Sequence, residues 1–326
     1  MTEIKTEKSK VYKSLELATA IDKKQRLVLH RGLPLNLAGP RIVYSRFSAS
    51  PQGSLSYQTI HSMTESGGND LVISGSSSAA FYDDTPSISQ RTGQVVFTRG
   101  SSVSGGGGLF VMDSDGANVK QLTNPPSGSW DVQPMWSPGG RYIAFVRSYQ
   151  IFLMNADGSN QRPLFNYSGT SGLDHAPTWN PSESEIAFWR ERGGVSTIYK
   201  VPISLKTSPA ASGGLVNLSN TSMSEDNFDA WPAWSPDGTK FAFFRNHEIW
   251  VMAADGTLQQ NISKPNHDVG EEDMTPCWSP DGTMIAFSRT NWVSYHIWIM
   301  NLTGTIKNQL SYGEYVCDFY PSWQKY

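Results

Sequence analysis

The chain has 326 residues, 38% of them hydrophobic and only 17% charged, with 29 glycines, 19 prolines, 11 tryptophans, 13 tyrosines and 14 phenylalanines. That mixture excludes a helical bundle, which needs Ala, Leu, Glu and Lys, and it excludes disorder, because the aromatic residues supply a core. A net charge of −3 leaves no basic footprint for nucleic acid, and no stretch approaches the ~18 apolar residues of a membrane span.

In chain order, residues 1–40 come first. They begin with the polar MTEIKTEKSK, which is no signal peptide, so the chain as written reads as cytoplasmic. Val11, Leu15, Ala18 and Ile21 fall on one face of a short amphipathic helix, and the apolar LVLHRGLPLNLAGP follows. Residues 1–40 therefore read as an interaction arm, suited to self-association through that face. The next segments, RIVYSR (41–46), LSYQTI (55–60) and LVIS (71–74), have the β-branched and aromatic content of strands.

A repeat then takes over. WPAWSPDGTKFAFFR and TPCWSPDGTMIAFSR align on Pro232 and Pro276, and the pattern recurs around Pro86, Pro134 and Pro177, with spacings of 48, 43, 55 and 44 residues. The longest interval holds KTSPAASGG (206–214), a loop insertion. In each repeat Pro-x-Trp starts a strand and an S-P-D-G type of turn reverses it. IAF or FAF forms the second strand, and IFLMN, IWVMA or IWIMN the third. An Asp-Gly turn then leads to a fourth ending in QLT, NLS, NIS or QLS. The chain ends on YPSWQKY, a first strand without successors, and the three strands at 41–74 complete it. The expectation is an all-β, six-bladed β-propeller of four-stranded antiparallel blades over 41–326. Its sixth blade joins 318–323 to 41–74, so that the C-terminal strand pairs with N-terminal strands and no edge is left open.

The pattern D-x-x-P-x-W-S-P-D-G-x-x-I-A-F, followed by I-W-x-M-x-x-D-G, resembles TolB and its relatives among the WD-like propeller repeats. The resemblance covers residues 41–326 and is specific for fold. It implies a protein partner received at the axial mouth, and a periplasmic or extracellular setting if a leader has been removed. The α/β domain that precedes the TolB propeller has no counterpart expected in the first 40 residues.

Two charges recur more strictly than the tryptophan. Asp83, Asp131, Asp174, Asp229, Asp273 and Asp318 each stand three residues before the proline. Arg99, Arg147, Arg190, Arg245 and Arg289 stand sixteen residues after the first five, and Arg46 completes the composite blade. Across the first hairpin these face each other, with pairs 133/145 and 135/143 on the same face unless a bulge intervenes. They make a collar at one axial end. Such repetition suits a structural ion pair, and a polar mouth able to take a carboxylate, a sugar or a peptide turn is the functional counterpart. His175, beside the collar, is the histidine placed to face the mouth. Trp130, Phe228, Trp292, Tyr295, Tyr312 and Tyr315 lie on the loops expected at the same end, where aromatic side chains suit a protein hot spot or sugar stacking.

Catalytic motifs are sparse. HExxH, GxSxG, a phosphate loop and CxxC are all missing, two cysteines make no disulfide framework, and no cofactor motif occurs; whether a metal binds is not legible. The reading is a propeller that binds a protein or peptide and does not catalyse. A carbohydrate-binding or lyase-type carbohydrate-cleaving propeller is the alternative.

Overall fold

The computed structural model describes residues 40–49, 55–74, 81–101, 106–167, 172–219, 228–263, 271–290, 293–305 and 307–324. Apart from Pro40, the arm expected over residues 1–40 lies outside them, as does Trp292.

Twenty-four strands follow in order among the described residues. The first three are β1 (Arg41–Ala49), β2 (Leu55–Thr64) and β3 (Leu71–Val72). Two groups of four come next: β4 (Phe81–Ile88), β5 (Val95–Ser101), β6 (Gly107–Met112), β7 (Lys120–Gln121), then β8 (Asp131–Trp136), β9 (Tyr142–Arg147), β10 (Gln150–Asn155), β11 (Arg162–Pro163). Two more are β12 (Leu173–Trp179), β13 (Glu185–Arg192), β14 (Val195–Pro202), β15 (Val216–Asn217), then β16 (Asp229–Trp234), β17 (Lys240–Arg245), β18 (Glu248–Ala253), β19 (Gln260–Asn261). The last are β20 (Asp273–Trp278), β21 (Met284–Thr290), β22 (Tyr295–Asn301), β23 (Lys307–Gln309) and β24 (Val316–Gln324).

Four of the sheets have four strands each, and the fifth has eight. The eight-stranded sheet is two four-stranded antiparallel units, β20–β23 and β24–β1–β2–β3, joined by one parallel bridge between Tyr295 and Cys317. The described strands thus form six four-stranded units. The C-terminal strand pairs with β1 as expected: Ile42 faces Trp323, Val43 faces Ser322 and Arg46 faces Asp318. The first strands touch in sequence, β4 to β8, β12, β16, β20, β24 and back to β4, which closes a ring.

The local sequence explains the units. In the S-P-D-G turn of the β16–β19 unit, Asp237 accepts from the Ser235 hydroxyl at 2.6 Å and from the Thr239 N–H at 3.0 Å, and Gly238 takes a φ of +72°. Second strands such as Ile143-Ala144-Phe145 are fully buried. The apolar residues of one unit pack on the next, so the core is six layers rather than one. Val96, Leu109 and Val111 meet Trp136, Ile143 and Phe145; across the closure, Ile42, Tyr44 and Trp323 meet Ala286 and Ile297. The insertion at 206–214 is tied to the preceding unit, with the Ala210 and Ala211 N–H groups donating to the Pro163 and Leu164 carbonyls.

One register differs from the expectation. Asp131 faces Arg147 and Val132 faces Val146, but Met135 then faces Ala144 and Trp136 faces Ile143. A bulge at Gln133-Pro134 inserts a residue, because Pro134 has no N–H to give the ladder and Gln133 sits at φ +52°. The same shift recurs in every first strand.

Candidate functional site

The collar aspartates stand near the start of the first strands, and the arginines opposite them on the second strands, or on β1 for Arg46. Each Arg faces its Asp across the first hairpin, or across β1 and β24, and each pair is bidentate. Arg147 Nε and Nη2 donate to Asp131 at 2.7 and 2.7 Å, and Arg46 to Asp318 at 2.7 and 2.8 Å. The same fork joins Arg99 to Asp83, Arg190 to Asp174, Arg245 to Asp229 and Arg289 to Asp273. All six carboxylates are at most 1% exposed, and the arginine side chains 5 to 22%. Each guanidinium also covers aromatic rings of its own unit, as Arg147 covers Phe145 and Phe152 at 5.3 and 5.0 Å.

Further bonds tie the collar between units. The Ser311 hydroxyl, from the end of the β20–β23 unit, donates to Asp318 at 2.5 Å, and the Tyr167 hydroxyl donates to Asp174 at 2.9 Å. Arg46 reaches Asp70 as well, at 3.0 Å. Burial pushes the Asp70 carboxyl up, but His61, Arg46 and Tyr44 outweigh it and hold it down to about 2. Asp318, despite complete burial, is likewise held below the usual carboxylate range by Arg46.

The aromatic residues singled out in the sequence divide into groups. His175 lies flat on Trp189 at 4.1 Å and touches Tyr149 at 5.3 Å, which in turn meets Trp130 at 5.4 Å. The chain of rings continues from Trp189 to Phe228, 38% exposed, and on through Trp231 and Phe244 to His247. Burial lowers the His175 pKa to about 4, and its Nε2 has no hydrogen-bond partner among the described residues. Tyr295 belongs to a second group, packed on Phe319 at 4.7 Å with its hydroxyl donating to Glu272 at 3.0 Å. Tyr312 and Tyr315 are 66% and 49% exposed. Among the described residues no group of three His, Cys, Asp or Glu could hold a metal ion.

A cavity of about 470 Å³ lies within the ring and is lined by all six units. It is walled by the first strands from the bulge onward to the turns, and contains none of the collar residues. Before the prolines stand Thr85, Gln133, Ala176, Trp231, Thr275 and Tyr320; after them Ser87, Met135, Thr178, Ala233, Cys277 and Ser322. The six residues before proline all have φ between 44 and 55°, a conformation costing of order 1–3 kcal/mol that persists only where packing fixes it. Ile88 and five tryptophans, Trp136, Trp179, Trp234, Trp278 and Trp323, form the deeper wall. No charged side chain is among the lining, and burial pushes the Cys277 thiol up to about 11, so it stays protonated.

The sequence reading did not single out this cavity, yet the signal is present. The collar positions are invariant over six repeats, as a packing problem met six times requires. The two positions flanking each proline change from repeat to repeat, as an asymmetric occupant requires.

A closed ring of four-stranded antiparallel units around an axial cavity is a β-propeller. The chain belongs to the TolB β-propeller domain family, whose model matches residues 131–326. Among curated relatives, it is 33% identical over 150 residues to a TolB homolog of Chlorobium chlorochromatii, covering 46% of this chain and 30% of that one. It is 34% identical over 87 residues to the Tol-Pal system protein TolB of Rhizorhabdus wittichii, covering 25% and 18%. The matched part is therefore less than a third of those relatives' length. Among solved structures, TolB from Acinetobacter baumannii superposes with a TM-score of 0.69 at 19% identity, over 90% of this chain and 69% of that one. A TolB-like protein of Agrobacterium tumefaciens gives 0.59 at 16% identity, over 89% and 99%. These likenesses establish the fold.

Proposed function

We propose that the protein is a non-catalytic binding propeller whose axial cavity takes an uncharged, apolar segment of a protein partner. In this reading the Asp–Arg collar is the frame that holds the ring, while Trp130, Phe228, Tyr312 and Tyr315 make rim contacts at the collar end. The observation that carries it is the cavity wall: tryptophan and proline in a repeated frame, with residues that vary between units flanking each proline. Its volume lies in the ~300–1,000 Å³ range of ligand pockets. Propellers of this family commonly mediate protein interactions, and one relative bears the name of the Tol-Pal system.

Carbohydrate cleavage has less support. Removing a proton beside a uronate needs a base, and neutralising the uronate needs a cation or a metal site. The cavity lining offers neither, and His175, neutral and stacked on Trp189, stands outside it.

The test uses peptides selected from a random twelve-residue phage library on the immobilised protein. Ala233→Trp fills the cavity from its wall and should weaken the selected peptides at least ten-fold. Equal affinity for the two proteins overturns the reading.

A further inference from the structure

One carboxylate in the ring is surplus to the frame. The residue after each collar aspartate is Asp84, Val132, His175, Ala230, Met274 or Phe319, so only the β4 unit places an acid there. Asp83 already supplies that unit's partner for Arg99. Asp84 makes no ion pair among the described residues. It is nevertheless partly buried, with Oδ1 accepting the Thr85 N–H at 2.7 Å.

Its surroundings are polar and aromatic. The Ser45 hydroxyl and the Gln58 amide lie on its side of the seam with β1 and β2, and both favour its charged form. Asp84 is close enough to Tyr82 and Tyr320 to raise the pKa of both phenols, beyond the effect of their burial. Burial in turn raises the pKa of Asp84 itself, and no cation of the described residues offsets this. Thr85 and Tyr320 are also wall residues of the axial cavity, so the carboxylate stands one residue from the cavity along β4. A half-buried anion near two phenols, with no countercharge among the described residues, is a constellation that receives an ammonium or guanidinium group.

We propose that Asp84 is the anionic anchor for a lysine or arginine side chain carried by the segment that enters the axial cavity. The inference rests on the cavity reading and adds the charge that the apolar wall does not specify. It predicts an occupant that is apolar along the Trp–Pro wall and basic where it passes Tyr320.

Two arms test it. In the first, the Thr85 amide signal, which reports on Asp84 directly, is followed by NMR during titration with n-butylammonium or n-butanol. The ammonium should shift it saturably and the alcohol should not, and Asp84→Asn should weaken the effect at least ten-fold. Asp84→Val, which installs the residue found at the same place in the next unit, checks that a folded ring without the acid behaves likewise. In the second, each basic residue of a cavity-selected peptide is replaced by glutamine. One replacement should weaken binding to the parent at least ten-fold and leave binding to Asp84→Asn unchanged. Equal responses to ammonium and alcohol, or an ammonium effect surviving in both variants, overturn the anchor. If peptides still bind the cavity and fail with Ala233→Trp, the anchor alone falls; if they bind Ala233→Trp equally, the cavity reading falls with it.

Discussion

Removing Arg46 should be strongly destabilising. The side chain crosses the closure of the ring, holding Asp318 of β24 with two hydrogen bonds and Asp70 with a third. Arg46→Met keeps most of the stem and deletes the charge, leaving Asp318, whose side chain is 0% exposed, and Asp70, 29% exposed, without it. Breaking a buried pair in this way costs about 3–5 kcal/mol. Asp70 alone, held near 2 against an unfolded value near 3.8, corresponds to at most about 2.5 kcal/mol, and its exposure and its remaining contact with His61 reduce that share. The sign with pH follows. Both carboxyls are depressed in the parent, so their stabilisation is present above about pH 4 and is lost as pH falls through the folded values. In Arg46→Met the uncompensated acids prefer their protons, so the variant recovers relative to the parent as pH falls. Urea unfolding followed by tryptophan fluorescence and by circular dichroism should give a gap of about 3–5 kcal/mol at pH 7 and a clearly smaller one at pH 4.5. A loss under about 1 kcal/mol at pH 7, or a gap that widens on acidification, refutes the reasoning.

Two further effects are expected. His175 has its folded pKa lowered to about 4 by burial, so it opposes folding as pH falls from about 6.5 toward 4; His175→Phe should remove about 1–3 kcal/mol of the loss between pH 7 and 4.5, measured by urea unfolding, whereas parallel curves for parent and variant contradict this. Gly304, at φ +68°, would place a Cβ 1.8 Å from the Ile262 carbonyl oxygen of the preceding unit, while Gly193, at φ +61°, has open space. Gly304→Ala should therefore cost about 1–3 kcal/mol more than Gly193→Ala in the same assay, and equal losses would mean that the seam between units yields without strain.

The architecture was legible because a repeat presents each packing problem six times. Proline spacing, Pro-x-Trp and the Asp-Gly turns gave the strands, and the unfinished YPSW with the orphan strands at 41–74 gave the closure through β24 and β1. The sixteen-residue interval from Asp to Arg placed each collar pair across a hairpin, since a residue lost to the turn changes both arms together. The register beyond the collar was less legible. Whether Gln133-Pro134 bulges depends on backbone hydrogen bonds that side-chain alternation does not report, and this shifts Met135 opposite Ala144. The cavity was missed for a related reason. Attention to what recurs selects the frame, whereas Ser87, Met135, Thr178, Ala233, Cys277 and Ser322 show their importance by varying, with only serine appearing twice. The top-loop aromatics could be listed from sequence but not grouped: only the fold brings His175 onto Trp189 and separates Tyr295 from Trp130.

The central claim, that the axial cavity is where a partner segment binds, is tested most directly by indole N–H NMR of the tryptophans during titration with a library-selected peptide. Trp136, Trp179, Trp234, Trp278 and Trp323 line the cavity, Trp130 and Trp189 belong to the ring cluster at the collar end, and Trp231 touches both. Binding should move several cavity indoles with one common Kd, and Ala233→Trp should abolish those shifts. Shifts confined to Trp130 and Trp189, with the cavity indoles unmoved at saturation, would place the partner on the opposite mouth and contradict the account.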